Sequence, residues 1–225
     1  MSDETIRLSK RVMEEKGCSR REAELYIEGG FVLVDGAVVE EPGARVAPGQ
    51  TVALAPDATL LEIAPVTILL NKPAGADALS CLRADTRSEQ AAKERFLKRH
   101  LHNLTPALPL DPSASGLFVF TQDIRVARKL VDEGDKVEQE LIVEVSGAIA
   151  EDGLAQLNAG ATKVSWQNER RLRFAVKGPK PSQVDKMCRA VGLTPVSTKR
   201  LRIGRLSMGS LPVGQWRYLL GYERF

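Results

Sequence analysis

The stretch RLSKRVMEEKGCSRREAELYIEGGFVLVDG, residues 7–36, decides how the chain is organised. Ile6, Leu8, Val12 and Met13 recur as one apolar helical stripe, and Gly17 stops that helix. Ser19 with Glu22 three residues later has the pattern of a capping box, in which each side chain satisfies a backbone N–H of the other residue's turn. It predicts a second helix with Ala23, Tyr26 and Ile27 on its apolar side, ended by Gly29-Gly30. Phe31–Val34, Asp35-Gly36 and Ala37–Val39 then read as a hairpin, because a two-residue turn needs positive φ and Asp-Gly supplies it. Outward from this core, Pro48-Gly49-Gln50 precedes a last short strand, Thr51–Leu54. Residues 1–54 are therefore expected to form a small domain of a helix pair and a hairpin.

Residues 55–65, APDATLLEIAP, have neither a helical nor a strand period and are read as a linker. From residue 66 to 225 a larger α+β domain is expected. Its strands are Val66–Leu70, Leu117–Thr121, Glu140–Val145, Lys163–Gln167, Arg171–Val176 and Lys199–Leu206; its helices are Ser88–Leu101, Ile124–Glu133, Gly153–Asn158 and Ser182–Ala190. Strand and helix do not alternate strictly, which argues against a doubly wound parallel sheet.

At 225 residues, with 43% hydrophobic and 27% charged content, the chain is neither collagen-like nor disordered throughout. No window approaches the apolar length of a membrane span, and MSDETIRLSKRV lacks the apolar core of a secretion signal, so a cytoplasmic address is expected; a monomer is expected as well. Cys18, Cys81 and Cys188 are odd in number and far apart, which points to buried thiols and to neither a disulfide frame nor a zinc site. His100 and His102 lack a third ligand at suitable spacing and are read as the end of a basic helix, with no metal. Charge is polarised: residues 1–52 are net −3, 53–162 net −5, and 163–225, with 14 basic and 3 acidic side chains, net +11. Such a segment suits a polyanion, because neutralised phosphates release counterions. Period-2 alternation puts Lys199 and Arg205 on one strand face and Arg200 and Arg202 on the other.

The run at 7–36, ending in PGQTVAL at 48–54, resembles an S4 RNA-binding domain. The resemblance implies that Arg7, Lys10 and Arg11 on the first helix, and Ser19, Arg20 and Arg21 at the start of the second, face RNA. A helix start with free N–H groups beside guanidinium forks is chemically a phosphate site. Lys199, Arg200 and Arg202 would extend the RNA surface from the basic segment. LLNKPAG at 69–75, LPLDPSASGLFVFTQD at 108–123, QELIVEVSG at 139–147, and MCRAVGL through RLRIGRLSMGSLPVGQWRYLL at 187–220 are similar, in order and spacing, to the RsuA/RluF-type ribosomal RNA pseudouridine synthases. That likeness implies a mixed, mainly antiparallel sheet with flanking helices, ribosomal RNA as substrate, large-subunit RNA ahead of small, and no cofactor.

Asp111 follows an apolar pair and precedes the Pro112–Gly116 turn, so its carboxylate would be both positioned and accessible at a sheet edge. It occupies the family's catalytic position, where the uridine N-glycosidic bond breaks, the uracil rotates, and the sugar is rejoined through carbon. Nucleophile and general base are both open to it. A flipped-out uridine is implied. Lys72 and Ser115 would shape the pocket. Three positions depart from the family's pattern. Pro109 stands where an arginine is usual, Leu141 replaces a tyrosine that packs on the base, and Asp185 replaces a basic partner of the catalytic aspartate. Lys186 or Lys180 would have to substitute for that cation. An RNA-binding relative with weakened catalysis is the alternative. Trp166, Trp216 and Tyr218 are read as core packing ahead of base stacking.

Overall fold

A computed structural model describes residues 4–89 and 95–225. The chain divides into two compact units: one runs through Pro65 and takes in Arg95–Asn103, and the other begins at Val66 and includes Leu104–Phe225.

In the first unit, β1 (Ile6–Arg7) leads into α1 (Leu8–Lys16), whose last turn closes on Gly17 in the left-handed conformation at φ 63°. A residue with a Cβ resists that geometry, which is why the helix stops there. α2 (Arg20–Glu28) begins on the expected capping box, with Ser19 and Glu22 bonded reciprocally. β2 (Val32–Val34) and β3 (Ala37–Val38) flank Asp35 and Gly36, both at positive φ, as the hairpin turn requires. β4 (Arg45–Val46) pairs with β1, and β5 (Val52–Leu54) with β2. Leu8, Val12, Ala23, Ile27, Val32 and Val52 fill the core between them.

The second unit is built on a nine-stranded sheet. Its strands are β6 (Thr67–Lys72), β7 (Thr105–Ala107), β8 (Ser115–Thr121), β9 (Glu138–Ser146), β10 (Lys163–Asn168), β11 (Arg171–Lys177), β12 (Thr194–Ile203), β13 (Leu206–Ser207) and β14 (Trp216–Tyr218). The order is β10-β11-β9-β12-β8-β6-β14, with β13 on β12 and β7 on β8. Among the described residues every pairing of these strands is antiparallel but one: β12 meets β8 in parallel, Lys199 opposite Ser115 and Arg200 opposite Gly116. The joint demands glycine. Gly116 sits at φ +101°, and a Cβ there would lie 2.2 Å from the Arg200 carbonyl oxygen. α3 (Ile124–Ala127), α4 (Gly153–Leu157) and α5 (Gln183–Ala190) flank the sheet. One apolar cluster gathers Leu69, Leu117, Val119, Leu130 and Ile203; a second packs Val184 and Cys188 of α5 onto Leu141, Val143, Leu172 and Phe174.

The sheet is thus mixed and mainly antiparallel, as expected, with local departures. The helix expected over Ser88–Leu101 is absent from its described part: residues 95–97 are irregular and Lys98–Leu101 is one 3-10 turn, while residues 90–94 lie outside the described residues. His100 and His102 therefore close a basic 3-10 turn and not the longer helix expected. The helix expected at Ile124–Glu133 keeps α form only to Ala127 and widens into a π-type turn over Arg128–Asp132. Trp216 and Tyr218 are buried, edge to face at 5.3 Å between ring centroids, and the Trp216 indole N–H donates to the Arg83 carbonyl at 2.7 Å. Both are core residues. No helix among the described residues is long and apolar enough to cross a membrane.

Candidate active site

Asp111 lies just before β8, on a turn closed by the Ala114 N–H bonding to the Asp111 carbonyl at 2.9 Å. The turn is held from behind by Lys72. Its ammonium, buried on β6, donates to the carbonyls of Pro73, Pro112 and Ala114 at 3.1, 3.0 and 2.9 Å. Three donors meet three acceptors, so no proton of the ammonium is left for a substrate. Burial pulls the Lys72 amine below its ordinary value. Lys72 is a positioning residue, and it is absent from the lining of the Asp111 cleft.

The cleft faces the N-terminal end of α5. Its walls include Pro109, Leu110, Asp111, Leu141, Ser182 and Asp185, and its floor Gln139, Thr198 and Arg200. Its volume is about 40 Å³, room for little more than a water molecule. Ser182, at φ 57°, turns its N–H onto Asp111 Oδ2 at 2.9 Å; the other carboxylate oxygen has no partner among the described residues. Among those residues no Lys, Arg or His forms an ion pair with Asp111. The three positions singled out from the sequence, Pro109, Leu141 and Asp185, all line this one cleft. Leu141 is buried and packs into the apolar cluster under α5.

Besides Lys72, two expected pocket residues lie elsewhere. Lys186 projects from the exposed side of α5 and lines a separate open groove of about 630 Å³ with Lys180, Pro181, Gln183, Met187 and Ala190. Helical geometry separates it from Asp185 by about 100°. Ser115 opens β8 and points its hydroxyl at the Thr198 carbonyl, at 3.4 Å, outside the cleft lining.

The basic strand also differs from expectation. Arg200 and Arg202 do not share a face, because the register of β12 against β9 slips between them, inserting Leu201 as a bulge. Arg200 turns inward and is 1% exposed, so it cannot meet RNA phosphate at the surface. Its Nε donates to the Leu117 carbonyl at 2.8 Å and its Nη1 to Gln139 Oε1 at 2.9 Å. Arg202 turns to the other side and pairs with Glu138 and Glu140, the latter also held by Arg173. Lys199 is half-buried. No sequence signal marked Arg200 as interior; its burial is set by the bulge and by the strand partners on either side.

In the first unit, Arg7, Lys10, Arg20 and Arg21 are exposed, and Arg11 is half-buried. Lys10 and Arg20 approach Glu14 and Glu24 one helical turn on, at 3.8 and 2.8 Å; Arg11 pairs with Glu15, and Arg21 with Glu62 at 2.5 Å. Exposed pairs of this kind contribute about 0.5 kcal/mol, little enough for a phosphate to displace the acid. The Ser19 hydroxyl accepts from the Glu22 N–H at 3.3 Å and so serves the helix cap.

Residues 6–52 match the S4 domain model, and the chain has the fold of a solved structure titled pseudouridylate synthase. The match to that structure has TM-score 0.58 and 19% identity over 96% of each chain. The relatives in sequence are pseudouridine synthases of the RluF and RsuA type. Among them are the dual-specificity RNA pseudouridine synthase RluF of Escherichia coli K12, 28% identical over 99% of this chain and 78% of its own, and the ribosomal small subunit pseudouridine synthase A of Salmonella typhimurium, 26% identical over 97% and 98%. An uncharacterized RNA pseudouridine synthase of Aquifex aeolicus is 29% identical over 97% of this chain and 94% of its own.

Proposed function

We propose that this protein isomerises a uridine of ribosomal RNA to pseudouridine, with Asp111 as the catalytic residue, working as a monomer in the cytoplasm. The observation that carries the reading is the Asp111 carboxylate itself: held through Oδ2 by the Ser182 N–H, on a turn tied by Lys72, and lining a cleft with no partner on Oδ1 among the described residues. The net reaction moves C1′ of the ribose from N1 to C5 of uracil; the C5 proton leaves and N1 gains one. A route in which Asp111 attacks carbon and one in which it removes a ribose proton both need a carboxylate oxygen without a competing donor. The uracil ring exceeds the present cleft, so the cleft widens as the flipped base enters. The S4-like unit, through Arg7, Lys10, Arg20 and Arg21, holds the RNA backbone while the cleft takes the base. The resemblance of residues 187–220 to the RluF branch supports a target in large-subunit RNA.

A second reading, RNA binding with weakened catalysis, is favoured by one specific fact: Leu141 and Asp185 put a ring-less side chain and a second carboxylate into the Asp111 cleft. One assay separates the two. Ribosomal RNA from a strain lacking the protein is incubated with the full chain, and pseudouridine is mapped by primer extension after carbodiimide treatment. A new stop that disappears with Asp111→Asn establishes catalysis; salt-sensitive binding without any stop establishes the second reading.

A further inference from the structure

Arg200 is among the largest side chains wholly inside the molecule, and its guanidinium is incompletely used. Nε is taken by β8 and Nη1 by β9, through Leu117 and Gln139. Nη2, which carries two further protons, is shielded from solvent and has no hydrogen-bond partner among the described residues. No carboxylate pairs with it there either. Burial draws its pKa down to about 9, which still leaves a cation at neutral pH. An unpaired interior charge is costly to the fold, and an apolar side chain of similar volume would avoid that cost. Such a group calls for an acceptor that the chain itself does not provide.

The sheet shows where that acceptor would come from. Alternation puts Gln139 and Leu141 of β9, and Thr198 and Arg200 of β12, on one face, and all four line the cleft that holds Asp111. The strands on either side occupy two edges of the guanidinium fork, and the remaining edge is Nη2. We propose that Arg200 reads the extruded base, its Nη2 donating to the O4 carbonyl oxygen of uracil, so that the cleft selects uridine over cytidine. This rests on the reading of the cleft as a uridine site. Uracil presents an acceptor where cytosine presents an amino donor, and two donors facing each other repel. Arg200 also restores a positive charge to a cleft that has gained Asp185. It does so from the sheet floor and not from α5.

The test uses the full chain labelled with 15N-arginine. The Arg200 side-chain signals, slow to exchange because they are buried, are assigned through their neighbours Leu117 and Gln139. Uridine 5′-monophosphate is expected to shift them and cytidine 5′-monophosphate to leave them in place. Arg200→Lys, which keeps the charge but not the fork, is expected to weaken uridine monophosphate binding about tenfold to a hundredfold and to abolish the preference. An arginine with only a structural role would lower stability and leave the uridine-to-cytidine ratio unchanged. Arg200 signals unmoved by millimolar uridine monophosphate, equal shifts with both nucleotides, or a preference retained in R200K would each overturn the proposal. The titration of the unsubstituted chain needs no variant to fold. Uridine-selective shifts without pseudouridine in ribosomal RNA would sink only the catalytic reading; pseudouridine formation with silent Arg200 signals would sink only this one.

Discussion

Lysine 72 and Asp111 act as one device, because the ammonium fixes the turn from which the carboxylate projects. Replacing Lys72 with Met removes the donor from three carbonyls, and urea unfolding is expected to show a loss of about 3 kcal/mol. The rearranged turn should also lower kcat more than it raises KM, since the carboxylate is displaced and the RNA surface is not. Asp111→Asn keeps the turn, so its unfolding midpoint should stay near that of the unsubstituted chain while pseudouridine formation falls by at least about a hundredfold. Both residues were legible in the sequence through their motifs. The task of Lys72 was not, because its partners are backbone oxygens that no residue pattern encodes. Arg200 was legible as a basic residue and misread as a surface one for the same reason: its neighbours are chosen by strand pairing.

Local elements followed the sequence most closely where their causes are local. The Ser19 capping box, the Gly17 stop and the Asp35-Gly36 hairpin turn each depend on residues within a few positions of one another, and each stands where expected. The bulge at Leu201 depends on β9, some 60 residues earlier, and was invisible. Gly116 is the joint on which two strands depend. Gly116→Ala should cost more than about 3 kcal/mol or prevent folding, while Gly209→Ala, at φ +62° with nothing near its missing Cβ, should cost about 1 kcal/mol by thermal unfolding. On the outer face made by the bulge, burial alone would push the Glu140 carboxyl up. Hydrogen bonds from Arg173 and Arg202, with their charges, outweigh burial and hold it below its ordinary value of 4.5. A carboxyl so depressed stabilises the fold above that value and ceases to do so as pH falls through its lowered one. Urea midpoints measured from neutral pH downward should therefore decline below about pH 4.5, and Glu140→Gln should flatten that decline.

Across the whole molecule, the net +11 of residues 163–225 overstates what a polyanion can feel. Arg200 is interior, Arg173 and Arg202 are paired with glutamates, and Arg217 makes a two-pronged pair with Glu223 at 2.7 Å on each prong. Replacing Arg20 and Arg21 together by Ala should thus lower affinity for ribosomal RNA across sequences and reduce the slope of log affinity against log salt by about 2, read by filter binding over a salt series. The parallel seam between β8 and β12 has a further effect on how the protein comes into being. Ser115 and Lys199 stand 84 positions apart, so during translation the earlier half must wait, its central edge uncovered, until the later one has emerged. Asp111 and Arg200 become neighbours of one cavity only when the polypeptide is nearly complete, and a truncated product that keeps its aspartate still lacks the floor beneath it.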